Sequence, residues 1–67
     1  MERRVQDKLM LMTVDKDDEV RAATAHAFGE AGYKTRDVID KLLLMTVDKS
    51  ASVRAAAAIA LGRLSKP

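Results

Sequence analysis

This chain has no cysteine, so neither a disulfide framework nor a thiolate metal site can supply stability or chemistry. It also lacks tryptophan, and its aromatic residues are limited to Phe28 and Tyr33. A surface that binds nucleic acid by stacking bases on aromatic rings has little to use here. A single histidine gives no dedicated zinc site within one chain. No apolar run approaches the ~20 residues of a membrane span. The first residues, Met1-Glu2-Arg3-Arg4-Val5, lack the apolar stretch of a signal peptide. The compartment expected is therefore the cytoplasm. Phosphate loops, nucleophile elbows and zinc-ligand spacings are missing too. The expectation is a protein with no enzymatic activity and no cofactor.

What the chain does have is a repeat. Residues 5–31 realign on residues 38–64 at a constant offset of 33, with 17 identities in 27 positions and no gap. A period of that length makes each copy one supersecondary unit, which buries its apolar face only by stacking on a neighbour. Sixty-seven residues allow one domain, read here as repeat 1 over about 3–32 and repeat 2 over about 36–65. A chain this short buries only about 60% of its unfolded surface, and two copies are fewer than the roughly three that stacking usually needs. Regular helix packing or association with another chain must make up the difference. The Met start and Lys-Pro end fit a complete small protein; a piece of a longer array is the other reading.

Net charge is +2, but it is divided unevenly. Residues 1–33 carry five Lys/Arg against seven Asp/Glu, and residues 34–67 carry seven against three. An acidic first repeat and a basic second one suit contact between chains better than a uniform basic footprint. Chance scatter in a small sample is the competing reading.

Each copy reads as a helical hairpin. Val5, Leu9 and Met12 recur at i, i+4 and i+7, widened by Leu11 and Val14; Val38, Leu42 and Met45 do the same, joined by Ile39, Leu43 and Leu44. The spacing predicts first helices over 3–14 and 36–47. The Thr-Val-Asp-Lys segments at Thr13–Lys16 and Thr46–Lys49 interrupt them with paired β-branched residues and a turn-forming Asp. Asp17 and Ser50 then stand as N-caps for second helices over 18–31 and 51–64. Asp18 and Glu19 favour the helix dipole where Ala51 and Ser52 do not, so the first of these two helices should start more firmly. Their expected apolar stripes are Val20, Thr24, Ala27, Phe28, Ala31 and Val53, Ala57, Ala60, Leu61, Leu64. Gly29 and Gly62 occupy equivalent helical sites, where glycine costs about 1 kcal/mol, so either close backbone packing or an early helix end is implied. Gly32 is the better C′ residue, followed by a Thr35 N-cap.

The segments Asp15-Lys16-Asp17-Asp18-Glu19-Val20-Arg21 and Asp48-Lys49-Ser50-Ala51-Ser52-Val53-Arg54 each run into an alanine-rich helix ending near glycine. This resembles the HEAT-like repeat, in the short alanine-rich form related to phycobilisome-lyase repeats. The second copy fits every position of that pattern, and the first departs at Thr24 and Phe28. The resemblance implies an all-α fold: an α-solenoid of two HEAT-like hairpins, four helices in a right-handed stack. It also implies a concave face lined by the second helices. Carried over position by position, the outward residues are Asp18, Glu19, Ala22, Ala23 and His26 in repeat 1, and Ala51, Ser52, Ala55, Ala56 and Ile59 in repeat 2. Asp15, Arg21, Asp48 and Arg54 fall at the places that brace adjacent repeats, where an arginine–carboxylate fork is the natural link.

The two faces differ. One is charged and carries a histidine, the other small and apolar around Ile59, and contiguous apolar patches usually mark contacts. Shielding of Ile59 by a neighbouring Lys or Arg stem is the alternative. The acidic turn Asp15, Asp17, Asp18, Glu19 lacks the glycine and spacing of a calcium loop, so capping is its expected role. His26 and Glu30 are four apart, a weak signal that reads as a surface ion pair rather than an acid–base dyad. HEAT-like di-iron hydroxylases carry His-Glu dipeptides, and this chain has none. The reading is a protein-interaction module or small scaffold that self-associates, with a homodimer expected, and that does not contact membranes. Its partner is unnamed by the sequence. Two other readings are an accessory subunit of a lyase-like enzyme assembly and, less favoured, a nucleic-acid binder using Lys34, Arg36, Lys41 and Arg63.

Overall fold

The computed structural model describes residues 2–66. It contains four α-helices: α1 (Arg3–Met12), α2 (Asp18–Ala31), α3 (Arg36–Met45) and α4 (Ala51–Leu64). No strand occurs among the described residues. The hairpins α1–α2 and α3–α4 follow the 33-residue period and pack side by side as an α-solenoid.

The second helices match the expected bounds, whereas α1 and α3 stop two residues early, at Met12 and Met45. The threonines end them. Thr13 Oγ1 donates to the Met10 carbonyl and Thr46 Oγ1 to the Leu43 carbonyl, each at 2.6 Å. The backbone then tightens to i→i−3 bonds, from Val14 N to Leu11 O and from Val47 N to Leu44 O. Asp17 caps α2 by accepting from Glu19 N at 2.9 Å. Ser50, expected to cap α4 in the same way, makes no side-chain cap bond; its hydroxyl donates instead to Asp18 Oδ2 at 2.7 Å. The two helices thus begin at equivalent residues, Asp18 and Ala51, with a side-chain cap bond on the first alone. Gly32 closes α2 with φ +68°, a left-handed conformation that glycine adopts without steric cost. Thr35 caps α3 through Val38 N, and Tyr33 of the connecting loop donates its hydroxyl to Gln6 Oε1 of α1 at 2.7 Å.

The main contact runs between α2 and α4, while α1 and α3 lie on the far side and scarcely meet. Phe28, Leu42, Val38, Val53 and Thr24 are the largest fully buried side chains. Burial of each large apolar one contributes about 1.5–3 kcal/mol. α1 has no buried residue, but α3 buries Val38, Leu42 and Met45. Leu11, Leu43 and Leu44, expected to widen the apolar stripes inward, are exposed instead.

At Gly29 α2 lies directly against the backbone of α4. A Cβ added there would lie 2.8 Å from Ala60 Cα and 3.0 Å from Ala60 Cβ. Of the two readings of this glycine, close packing is therefore the correct one. A Cβ at Gly62 would meet nothing within 4 Å.

Across the same junction Arg21 grips Asp48. Nε and Nη2 donate to the two carboxylate oxygens at 3.0 and 3.1 Å, and Nη1 donates to the Asp15 carbonyl at 2.7 Å. Asp48 Oδ1 also accepts from Ser50 N at 2.8 Å. Of the four residues expected to brace the repeats, Arg21 and Asp48 do so, with Arg21 only 7% exposed, whereas Asp15 and Arg54 make their bonds within their own repeats. The Arg21 hydrogen bonds, aided by Ser50 N–H, hold the Asp48 carboxyl below its ordinary value of 3.8. The same hydrogen bonds push the Arg21 guanidinium up.

Two predictions follow from the junction. Gly29→Ala forces strain of about 1–3 kcal/mol against backbone that cannot yield, outweighing a helix-propensity gain of at most about 1 kcal/mol. Gly62→Ala gains the propensity without the strain. Denaturant unfolding should therefore move in opposite directions for the two variants. Secondly, a carboxyl depressed in the folded state adds stability above its unfolded pKa and loses it as pH falls through the folded pKa. Stability should thus decline on acidification below about pH 4. Asp48→Asn should lower stability at neutral pH and flatten that decline, as read by urea unfolding across the acid range.

Candidate protein-binding face

The exposed side of the α2–α4 layer carries the residues expected to bind a partner, with one correction and one reassignment. Asp18, Glu19, Ala23 and His26 of α2 are exposed, as are Ala51, Ser52, Ala55 and Ile59 of α4. Ala56 is not: it is 1% exposed and belongs to the core. The helical period explains this. Ala56 lies three residues after Val53 and four before Ala60, so it shares their inward side. Ala22 is half-buried and packs on the core, although its counterpart Ala55 is exposed. The paired positions 22/55 and 23/56 therefore point along the stack, toward a neighbouring repeat, while the 18/51, 19/52 and 26/59 pairs are exposed in both copies.

Ile59 is 47% exposed, so about half of it stands in solvent. Ala55 and Ser52, one and two turns N-terminal on α4, are short and exposed, so a partner can approach closely. Glu19 and His26 supply the polar side from α2.

Electrostatics link the two halves of this face. Glu30 and Arg63, which occupy equivalent sites in the two repeats, form an exposed ion pair across the junction. Glu30 is thereby committed to Arg63, and the expected His26–Glu30 pair is not among the ion pairs of the described residues. Of the carboxylates around the first turn, Asp15 and Asp17 act locally and Asp18 reaches the other repeat. Asp15 accepts from Asp17 N at 2.8 Å, Asp17 from Glu19 N, and Asp18 from Ser50 Oγ. Among the described residues no cluster of His, Asp and Glu has the arrangement to hold a metal ion. Of the residues considered for nucleic acid, Arg63 is taken up by Glu30, and Lys34 donates to the Lys66 carbonyl at 3.1 Å.

Sequence reasoning overlooked two features. The Glu30/Arg63 pair was legible as a charge reversal at the repeat offset. The other is the turn edge, where Leu11, Val14, Leu44 and Val47 are all strongly exposed, Val47 at 79%. These are also related by 33 residues, at the ends of α1 and α3 and in the turns that follow them.

A family model described as HEAT repeats matches residues 7–67. No curated protein and no solved structure matches the chain. No helix is long and apolar enough to cross a membrane among the described residues. HEAT repeats are generally protein-interaction scaffolds and typically non-enzymatic. The family match takes in both hairpins and the junction between them, and this chain belongs to the HEAT repeat family.

Proposed function

We propose that this protein is a non-enzymatic interaction module that binds a protein partner on the α2–α4 face and also self-associates. The observation that carries the reading is the exposure of Ile59 in the middle of α4, among residues too short to cover it. An apolar centre with a polar rim is the general anatomy of a binding patch. The occupant that fits is an amphipathic helix of another protein. Its apolar ridge would lie over Ile59 and Ser52, and a Lys or Arg on its flank would face Glu19. Helix-in-groove docking of this kind reads anchors at i, i+3, i+4 and i+7.

The turn edge supports a second reading, because Leu11, Val14, Leu44 and Val47 are the more exposed apolar set. A photo-crosslinker at position 59 should capture the partner segment, whose binding can then be measured by calorimetry. Ile59→Glu should weaken that binding at least about tenfold, since central anchors commonly contribute 2 kcal/mol or more, while helicity by circular dichroism stays unchanged. Val47→Asp should leave it intact. The reverse pattern would transfer the site to the turn edge, and indifference to both substitutions would remove the reading.

A further inference from the structure

The internal junction has two sides, and each recurs without its complement on the outward side of the other hairpin. We propose that a second copy of this chain stacks head to tail, with the α3–α4 hairpin of one copy on the α1–α2 hairpin of the next. This rests on the self-association in the function proposed above, but uses a surface distinct from Ile59.

Arg54 is the first observation. Its Nη1 donates to the Asp48 carbonyl at 2.7 Å, just as Arg21 Nη1 donates to the Asp15 carbonyl at 2.7 Å. The same anchor holds both guanidinium groups. Arg21 uses its remaining edge to grip Asp48, whereas the equivalent edge of Arg54 meets no carboxylate among the described residues. Asp15 is the complement. Its Oδ1 accepts from Asp17 N at 2.8 Å, as Asp48 Oδ1 accepts from Ser50 N at 2.8 Å. The carboxylate is thus oriented like that of Asp48, and no arginine side chain holds it among the described residues. Stacking would bring Arg54 of one copy to Asp15 of the next, repeating the Arg21–Asp48 fork.

Shape agrees independently. Gly29 fits against Ala60, and the residue equivalent to Ala60 in repeat 1 is Ala27. Gly62 has nothing within 4 Å, and Ala27 lines an open apolar groove with Leu9, Met12, Val20, Ala23 and Thr24. The repeat 2 counterparts of the apolar groove residues, Leu42, Met45, Val53, Ala56, Ala57 and Ala60, are all buried by the internal junction. On the other side Ala25 and Gly29 are buried, while Ala58 and Gly62 are exposed. The chain therefore offers a socket and the surface that fills it.

Charge favours this arrangement over a two-fold one. Face-to-face pairing of the α4 surfaces would set Arg54 and Arg63 against their own copies. Head-to-tail stacking sets the basic second repeat against the acidic first. Such a heterologous contact leaves an unused socket at one end and an unused surface at the other, so it builds open stacks rather than a fixed dimer.

Sedimentation of the full chain from low micromolar to millimolar concentration tests this. The average mass should rise continuously beyond two copies. Arg54→Glu and Gly62→Gln should each lower the association constant at least about tenfold, consistent with loss of a charge pair or of close packing at an interface. Both sites are exposed in the single chain, so helicity should persist. Ile59→Glu should leave stacking unchanged, which separates this proposal from the partner site. A monomer at every concentration would overturn it, as would a discrete dimer indifferent to Arg54→Glu and Gly62→Gln.

Discussion

The structure depends on how closely α2 can approach α4. Gly29 stands where even a methyl group would collide with the backbone at Ala60, and Ala25, Ala56, Ala57 and Ala60 supply the rest of a contact made largely of small side chains. A chain with two aromatic residues and no cysteine cannot rely on bulk or cross-links. It relies on proximity, which raises the number of favourable dispersion contacts per unit of area. That approach also sets the reach of Arg21 to Asp48. The fork closes at 3.0 and 3.1 Å because the two helices already lie side by side.

The polar groups at this junction are satisfied as a set. Arg21 distributes its donors between the Asp48 carboxylate and the Asp15 carbonyl, Thr24 returns its hydroxyl to the Val20 carbonyl, and Thr13 does so to Met10. No buried side-chain polar atom is left without a partner among the described residues. A buried arginine is destabilising when its carboxylate is missing. The brace therefore works as a register device as much as a source of stability, since a slipped stack would bury the guanidinium unpaired.

Near-identical repeats do not occupy equivalent surroundings. Repeat 1 has a neighbour on the side of Ala25 and Gly29; repeat 2 has one on the side of Ala56 and Ala60. Arg21 is consequently buried and Arg54 exposed, although both send Nη1 to the same kind of carbonyl. The outward α2–α4 layer escapes this asymmetry. There the two copies differ by side chain, His26 against Ile59 and Glu19 against Ser52, and those differences shape the proposed partner surface.

Much of this was legible in the 67 residues. The 33-residue offset, the 3.6-residue spacing of Val38, Leu42 and Met45, the Thr-Val-Asp-Lys turns and Gly32 determine four helices in two hairpins, because these are local and periodic constraints. The Arg21–Asp48 brace followed from the family pattern. Other features were decided only by tertiary structure. Ala22 and Ala55 are the same residue in the same local sequence, yet one packs on the core and the other faces solvent; Ala23 and Ala56 show the opposite. Gly29 and Gly62 divide in the same manner, one locked against Ala60 and one open. Periodicity tells which residues share a side of a helix. Burial belongs to a pair of elements, and which side gains a neighbour is settled only when the hairpins stack.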